Sequence, residues 1–167
     1  FAQEQLDVLK QATSREIAND AMQLSLVIMD NTQEDTLGLV LKDYSQIELL
    51  MYRNEYDSAQ SKLDTLLFRY LSTSLRDDMY WLKSKILLKK ENYTEAIVFL
   101  KIIKETFGDD IWADDAAFKI AEIYEYYLKD IKLAMDSYND FLVAYPASIY
   151  TAEARKRYRI LRGDKLQ

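Results

Sequence analysis

The sequence predicts an all-α fold in which antiparallel helix pairs stack in series as an α-solenoid, and three observations carry the prediction. One proline and three glycines in 167 residues leave little turn chemistry for the hairpins of a β fold. Apolar residues recur at i, i+3/i+4 and i+7, the spacing that lays one stripe along one helix face. Blocks of that pattern repeat at intervals of 37 and 38 residues.

Composition narrows the function classes. Apolar residues make up 49% of the chain and aromatics 13%, enough to bury a core, which argues against disorder. There is no cysteine and no histidine. That removes thiol nucleophiles, disulfides, the usual zinc ligands and the commonest base near neutral pH. A net charge of −6 argues against a general nucleic-acid footprint. No segment approaches the length of a membrane span and no signal peptide is visible. The chain starts at Phe1 rather than Met, which suggests a processed product or a fragment of a longer protein.

Residues 4–12 read as the end of a helix. Thr13 and Glu16 then form a capping-box pattern that opens a second helix. That helix carries Ile17, Ala18, Ala21, Met22, Leu24, Ser25 and Ile28 near one face and ends near Asp30-Asn31. Residues 1–30 are thus a partial first repeat, and 31–36 a polar loop. The next pair covers about 37–53 and 55–71, the repeat 37–72. The best-defined pair lies within Asp77–Gly108, the repeat 75–108, with Tyr80, Ser84, Leu87 and Leu88 on its first helix. Its second helix carries Tyr93, Ala96, Ile97, Leu100, Ile103 and Phe107. Ser74 precedes this pair, and Asn92 with Glu95 marks the start of its second helix. A third pair fills 112–146, opened by Asp110 and Asp114-Asp115. Gly108 and Pro146 stand where second helices must stop, and Ser148 opens a capping helix over 148–162.

A shift of 37 residues carries Tyr56, Ala59, Leu63, Leu66, Leu67 and Tyr70 onto Tyr93, Ala96, Leu100, Ile103, Lys104 and Phe107. Five of these six pairs match in character, the exception being Leu67 with Lys104. The same shift takes Tyr44 to Trp81 and Trp81 to Phe118. Beyond Tyr124 the offset becomes 38, with Ala96 on Ala134 and Ile103 on Phe141. One residue is therefore inserted, and the expected place is the helix–helix turn among Tyr127–Lys132.

The spacing from Ser84 to Ala96, Leu100 and Ile103 resembles the tetratricopeptide repeat, a helix–turn–helix unit. The resemblance covers 37–147 and implies a right-handed α-solenoid with a C-terminal capping helix. The stretches YTEAIVFLKIIKETFGDD and DDAAFKIAEIYEYYLKD, with the Tyr-Pro-Ala-Ser junction and the Arg/Lys-rich end, resemble C-terminal repeats of bacterial cell-envelope proteins. That implies a Gram-negative source, of which the Bacteroidetes are one group, and a periplasmic or outer-membrane-associated parent; the alternative is a cytoplasmic one. Two departures stand out: Ser84 and Ile47 occupy the position that is Gly or Ala in the family. The peptide-clamp version of the fold holds a carboxylate with Lys, Arg and Asn on its first helices. Here the matching positions are Tyr44 and Glu48, Trp81 and Lys85, Phe118 and Glu122, which argues against chaperone-tail binding.

First helices of such solenoids line a concave face. The candidate partner-binding residues are therefore Tyr44, Glu48, Tyr52, Trp81, Lys85, Lys89, Phe118, Glu122 and Tyr126. Two readings stand side by side. The rings form an aromatic ladder with charged rims for a peptide, or each ring packs against the neighbouring helix. Asp109-Asp110 with Asp114-Asp115 lacks the order of a calcium loop and reads as helix caps. Arg155, Lys156, Arg157, Arg159 and Arg162 read as the solvated face of the cap, and Arg162-Gly163-Asp164 as its structural end.

The function these observations predict is a non-enzymatic scaffold that docks a protein or peptide, with no cofactor or metal and no nucleic acid. The alternative is a spacer or oligomerisation segment of a longer envelope protein, self-associating through an apolar edge around Ile17–Ile28. A catalytic domain outside this segment, served by the repeats, is a further possibility.

Overall fold

The computed structural model describes residues 2–11, 22, 24, 25, 28, 29, 38–71 and 73–164. The Thr13–Glu16 capping box, the polar loop 31–36 and most of the predicted second helix lie outside them. The regular structure of the described residues is all helical, with no strand among them. The helices are α1 (Ala2–Leu9), α2 (Leu39–Tyr52), α3 (Tyr56–Arg69), α4 (Arg76–Lys89), α5 (Tyr93–Thr106), α6 (Ala113–Glu122), α7 (Ile131–Ala144) and α8 (Thr151–Arg162). A π turn, Ile123–Tyr127, extends α6. Two compact units divide the chain after Met79, within α4.

In residues 1–79, α2 and α3 form a hairpin that buries Val40, Tyr44, Ile47, Ala59, Leu63 and Leu66. Each helix of the pair contributes an i, i+3/i+4, i+7 stripe, as its sequence predicts. Arg76 closes the far end, its guanidinium donating to the free carbonyls of Leu67 and Tyr70 (3.2 Å each). Gln3 of α1 accepts from the buried Ser25 hydroxyl (2.9 Å), and Lys10, just past the helix, donates to it (2.6 Å).

In residues 80–167, α5 packs on α6, α6 on α7 and α7 on α8. Tyr80 of α4 meets α5 through Phe99 and Phe107 (centroids 5.8 and 6.1 Å). The last core cluster joins Ala117, Phe118 and Ala121 of α6, Tyr138 and Phe141 of α7 and Ala154 of α8. α4 is more deeply buried than its sequence stripe predicts. Besides Ser84 and Leu87, it hides Met79 near its start and Leu82, Lys83 and Ile86 along its length, and Leu75 just before it is buried as well.

Three hairpin turns share one design. Asn54, Glu91 and Lys129 take φ of 61°, 58° and 55°, the left-handed conformation that ends a helix. The next amide in each turn, of Glu55, Asn92 and Asp130, donates back to Leu50, Leu87 and Tyr124 (2.9 Å each). Asn92 accepts from the Glu95 amide and donates to its carboxylate, and Asp130 accepts from the Leu133 amide.

This conserved geometry relocates the inserted residue. Tyr124 is 37 residues beyond Leu87, whereas Lys129 is already 38 beyond Glu91. The extra residue is therefore absorbed before Lys129, in the π turn, where the Leu128 amide reaches five residues back to Ile123 (3.0 Å). The helix–helix turn, expected to hold the insertion, keeps its length.

Candidate functional site

The nine candidate residues fall four apart on the first helix of each pair: Tyr44, Glu48, Tyr52; Trp81, Lys85, Lys89; Phe118, Glu122, Tyr126. The first three lie in residues 1–79 and the other six in 80–167. Burial falls along each triplet. Tyr44 and Phe118 are 5% and 7% exposed, and Trp81 is half-buried. Glu48 and Glu122 are half-buried, and Lys85 and Lys89 are exposed. At the outer ends Tyr52 is 85% and Tyr126 41% exposed.

The inner rings are engaged by the fold. Trp81 stacks on Trp112 (centroids 4.9 Å, planes 16° apart), and Phe118 stacks on Tyr150 (4.7 Å, 10°). Phe118 also meets Tyr138 and Phe141 edge-on (5.8 and 5.5 Å). These are one interaction made twice. Trp81 and Phe118 are 37 residues apart, Trp112 and Tyr150 are 38 apart, and each of the latter is the residue preceding a first helix. Leu75 holds the matching place before α4. Of the two readings of the aromatic ladder, the packing one describes Phe118 and one face of Trp81. Burial, with the charges of Glu48, Asp78 and Asp77, pushes the Tyr44 phenol well above its ordinary range.

The residues at the start of α6 behave differently from simple caps. Trp112 occupies the cap position and supplies no side-chain cap bond. Asp114 and Asp115 lie in the first turn, where their charge suits the helix dipole. Asp115 also accepts from the Tyr150 hydroxyl (2.6 Å), joining α6 to the start of α8. Burial raises the Asp115 carboxyl above its usual range, opposed by that hydrogen bond. No group of three or more acidic side chains among the described residues is arranged to hold a metal ion.

Glu125 is the site residue that sequence reasoning missed. It stands in the π turn, 5% exposed, where the preceding repeats carry Met51 and Leu88. The Tyr138 hydroxyl donates to it (2.8 Å), and Arg157 clamps it through Nε (3.1 Å) and a second guanidinium nitrogen. Arg157 was expected on the solvated face of the cap. It is instead the partner of a buried carboxylate, and its guanidinium lies 5.0 Å from the Tyr126 ring centre. The Tyr126 phenol is raised by partial burial and by the charges of Glu122 and Glu153. Glu122 itself pairs with Lys119.

The rest of the cap matches its sequence reading. Lys156 pairs with Glu153 (3.7 Å), while Arg159 and Arg162 both bond Asp164 beyond Gly163 at φ 91°. The tripeptide Arg162-Gly163-Asp164 is thereby a helix stop closed on itself. Ser148 does not occupy the cap position of α8, which falls to Tyr150, but its hydroxyl accepts the Tyr150 amide (3.2 Å).

No helix among the described residues is long and apolar enough to cross a membrane. No model of a known protein family matches the chain. No curated protein matches it either.

Proposed function

We propose that this chain is a non-catalytic helical-repeat scaffold, a tetratricopeptide-like right-handed solenoid that binds a protein or peptide partner on its first-helix face. The observation that supports it is the gradient along each triplet, buried ring inward and charged or tyrosyl side chain outward. Rings fixed from below hold the outer residues in place, so a partner need not order them on binding. In residues 80–167 the contact set is the open edge of Trp81 with Lys85, Lys89, Glu122 and Tyr126. In residues 1–79 it is Glu48 and Tyr52. Tyrosine is favoured at such contacts, and the mixed charges around it select the partner's orientation. The resemblance to envelope proteins makes a bacterial envelope complex the proposed setting.

The test is capture of partners from envelope and cytoplasmic fractions by the native chain and by a variant carrying Lys85→Glu, Lys89→Glu and Tyr126→Ala. All three side chains are exposed, and far-UV circular dichroism checks that the variant folds. A protein retained by the native chain and lost by the folded variant supports the site. An unchanged set of captured proteins overturns it.

Exposed Met22, Leu24 and Met29 favour a second reading, self-association through the first repeat. A mass that rises with concentration, and stops rising when these three become polar, would support that reading instead.

A further inference from the structure

On the second-helix side of residues 80–167 the structure holds a groove the candidate site does not use. Its cavity measures about 200 Å³. Lys101 and Lys104 of α5 line one side, Asp136 and Asp140 of α7 the other, and Ile120 and Tyr124 lie between them, with Glu105 beside the lysines. Among the described residues neither the two lysines nor the two aspartates have an ion-pair or hydrogen-bond partner. Opposite charges thus line the same groove without closing it.

The repeat register shows that this arrangement is specific to one place in the chain. Lys104 stands where the other repeats carry Leu67 and Leu142. Asp136 and Asp140 stand where the two preceding repeats carry Val98 and Ile102, and Ser61 and Thr65. Lys104 therefore replaces leucines and the two aspartates replace uncharged residues, all around one cavity, and the charges divide by sign between the two helices.

We propose that this groove is a second docking surface, taking an amphipathic helical segment of a partner protein. An apolar side chain of the segment enters over Ile120 and Tyr124, an acidic flank faces Lys101 and Lys104, and a basic flank faces Asp136 and Asp140. The volume supports a side chain rather than an enclosed small molecule, since pockets for whole ligands run to roughly 300–1,000 Å³. The split charges fix the direction of the segment: turning it end for end would place like charges together. This surface is independent of the first-helix site.

The probe is a capped synthetic helix with a leucine stripe, glutamates along one flank and lysines along the other, spin-labelled at one end. Added to the full chain, it should broaden amide signals at one end of the groove. Lys104→Glu with Lys101→Glu should weaken binding roughly tenfold or more. Adding Asp136→Lys and Asp140→Lys should restore binding with the broadening moved to the opposite end. All four positions are exposed or half-buried, and helicity checks that each variant folds. No binding, binding indifferent to the reversals, or broadening around Lys85, Lys89 and Tyr126 would overturn the proposal. Self-association of the native chain lost in the reversed variants would overturn it in favour of a second copy as the occupant.

Discussion

Trp81 lies flat against Trp112 at 4.9 Å, and the same stack recurs one repeat later between Phe118 and Tyr150. Each pair links the middle of one first helix to the residue that opens the next. Changing Trp81 to alanine should cost about 2–4 kcal/mol, below the full range for a buried tryptophan because it is only half-buried, and changing the buried Trp112 about 3–5 kcal/mol. The two losses should fall short of additive by about 0.5–1.5 kcal/mol in a double-mutant cycle followed by urea unfolding. Strict additivity would show that the rings stabilise the fold separately rather than through their stack.

Arg157→Met leaves the Glu125 carboxylate buried beside Tyr138 without its cation. Stability should fall by about 3–5 kcal/mol. Glu125→Leu combined with Arg157→Met restores the apolar residue found at Leu88 and should recover most of that loss. Equilibrium denaturation of the native chain and the two variants decides it, and an unchanged midpoint in the single variant would refute the buried-pair account.

Asp115 has a carboxyl raised by burial, so the folded chain holds its proton to a higher pH than the unfolded chain does. Between the ordinary aspartate value and the raised one, the unfolded state releases a proton that the folded state keeps. This group's contribution to stability therefore declines as pH rises through that window. Asp115→Asn should gain stability relative to the native chain between acid and neutral pH. Tyr150→Phe removes the hydrogen bond that lowers the value, so the Asp115 titration followed by carbon NMR should move upward. A downward move would assign the tyrosine the opposite role.

Glu91 and Lys129 adopt left-handed backbone angles that strain a side-chain-bearing residue. Replacing either by glycine should raise stability by up to ~1 kcal/mol, because relief of strain exceeds the added freedom of the unfolded chain. Asn54→Gly should gain less, since asparagine tolerates that conformation. Thermal melts of the three variants rank them directly; equal gains would remove residue type from the explanation.

Local patterns were legible in the sequence and long-range partners were not. The helix pairs appear within a few residues of their expected limits, and the Asn92–Glu95 cap forms as its spacing suggests, since both depend on neighbours one turn away. Trp112 and Tyr150 were overlooked because they sit in connections, where periodicity assigns no face. Yet their 38-residue separation matches the offset of Ala96 to Ala134 and Ile103 to Phe141. Glu125 and Arg157 are 32 residues apart on different elements, and no helical stripe announces such a meeting. The burial of Leu82 and Ile86 escaped for another reason: both lie off the stripe of Tyr80, Ser84, Leu87 and Leu88, and a single-stripe reading assigns such positions to solvent.

The π turn at Ile123–Tyr127 also bears on how such a chain can change length. An added residue in an α-helix rotates everything after it by about 100°, which would swing Lys129 and Asp130 away from the turn they build. Here the surplus is taken up as a local widening of the helix, so the left-handed residue, the cap and α7 all meet as they do in the shorter repeat. The turns behave as fixed joints, and the last turn of the first helix as the adjustable part. Variation in repeat length in chains of this design is then to be sought inside helices, beside buried groups such as Glu125, and not in the exposed bends where insertions are ordinarily expected.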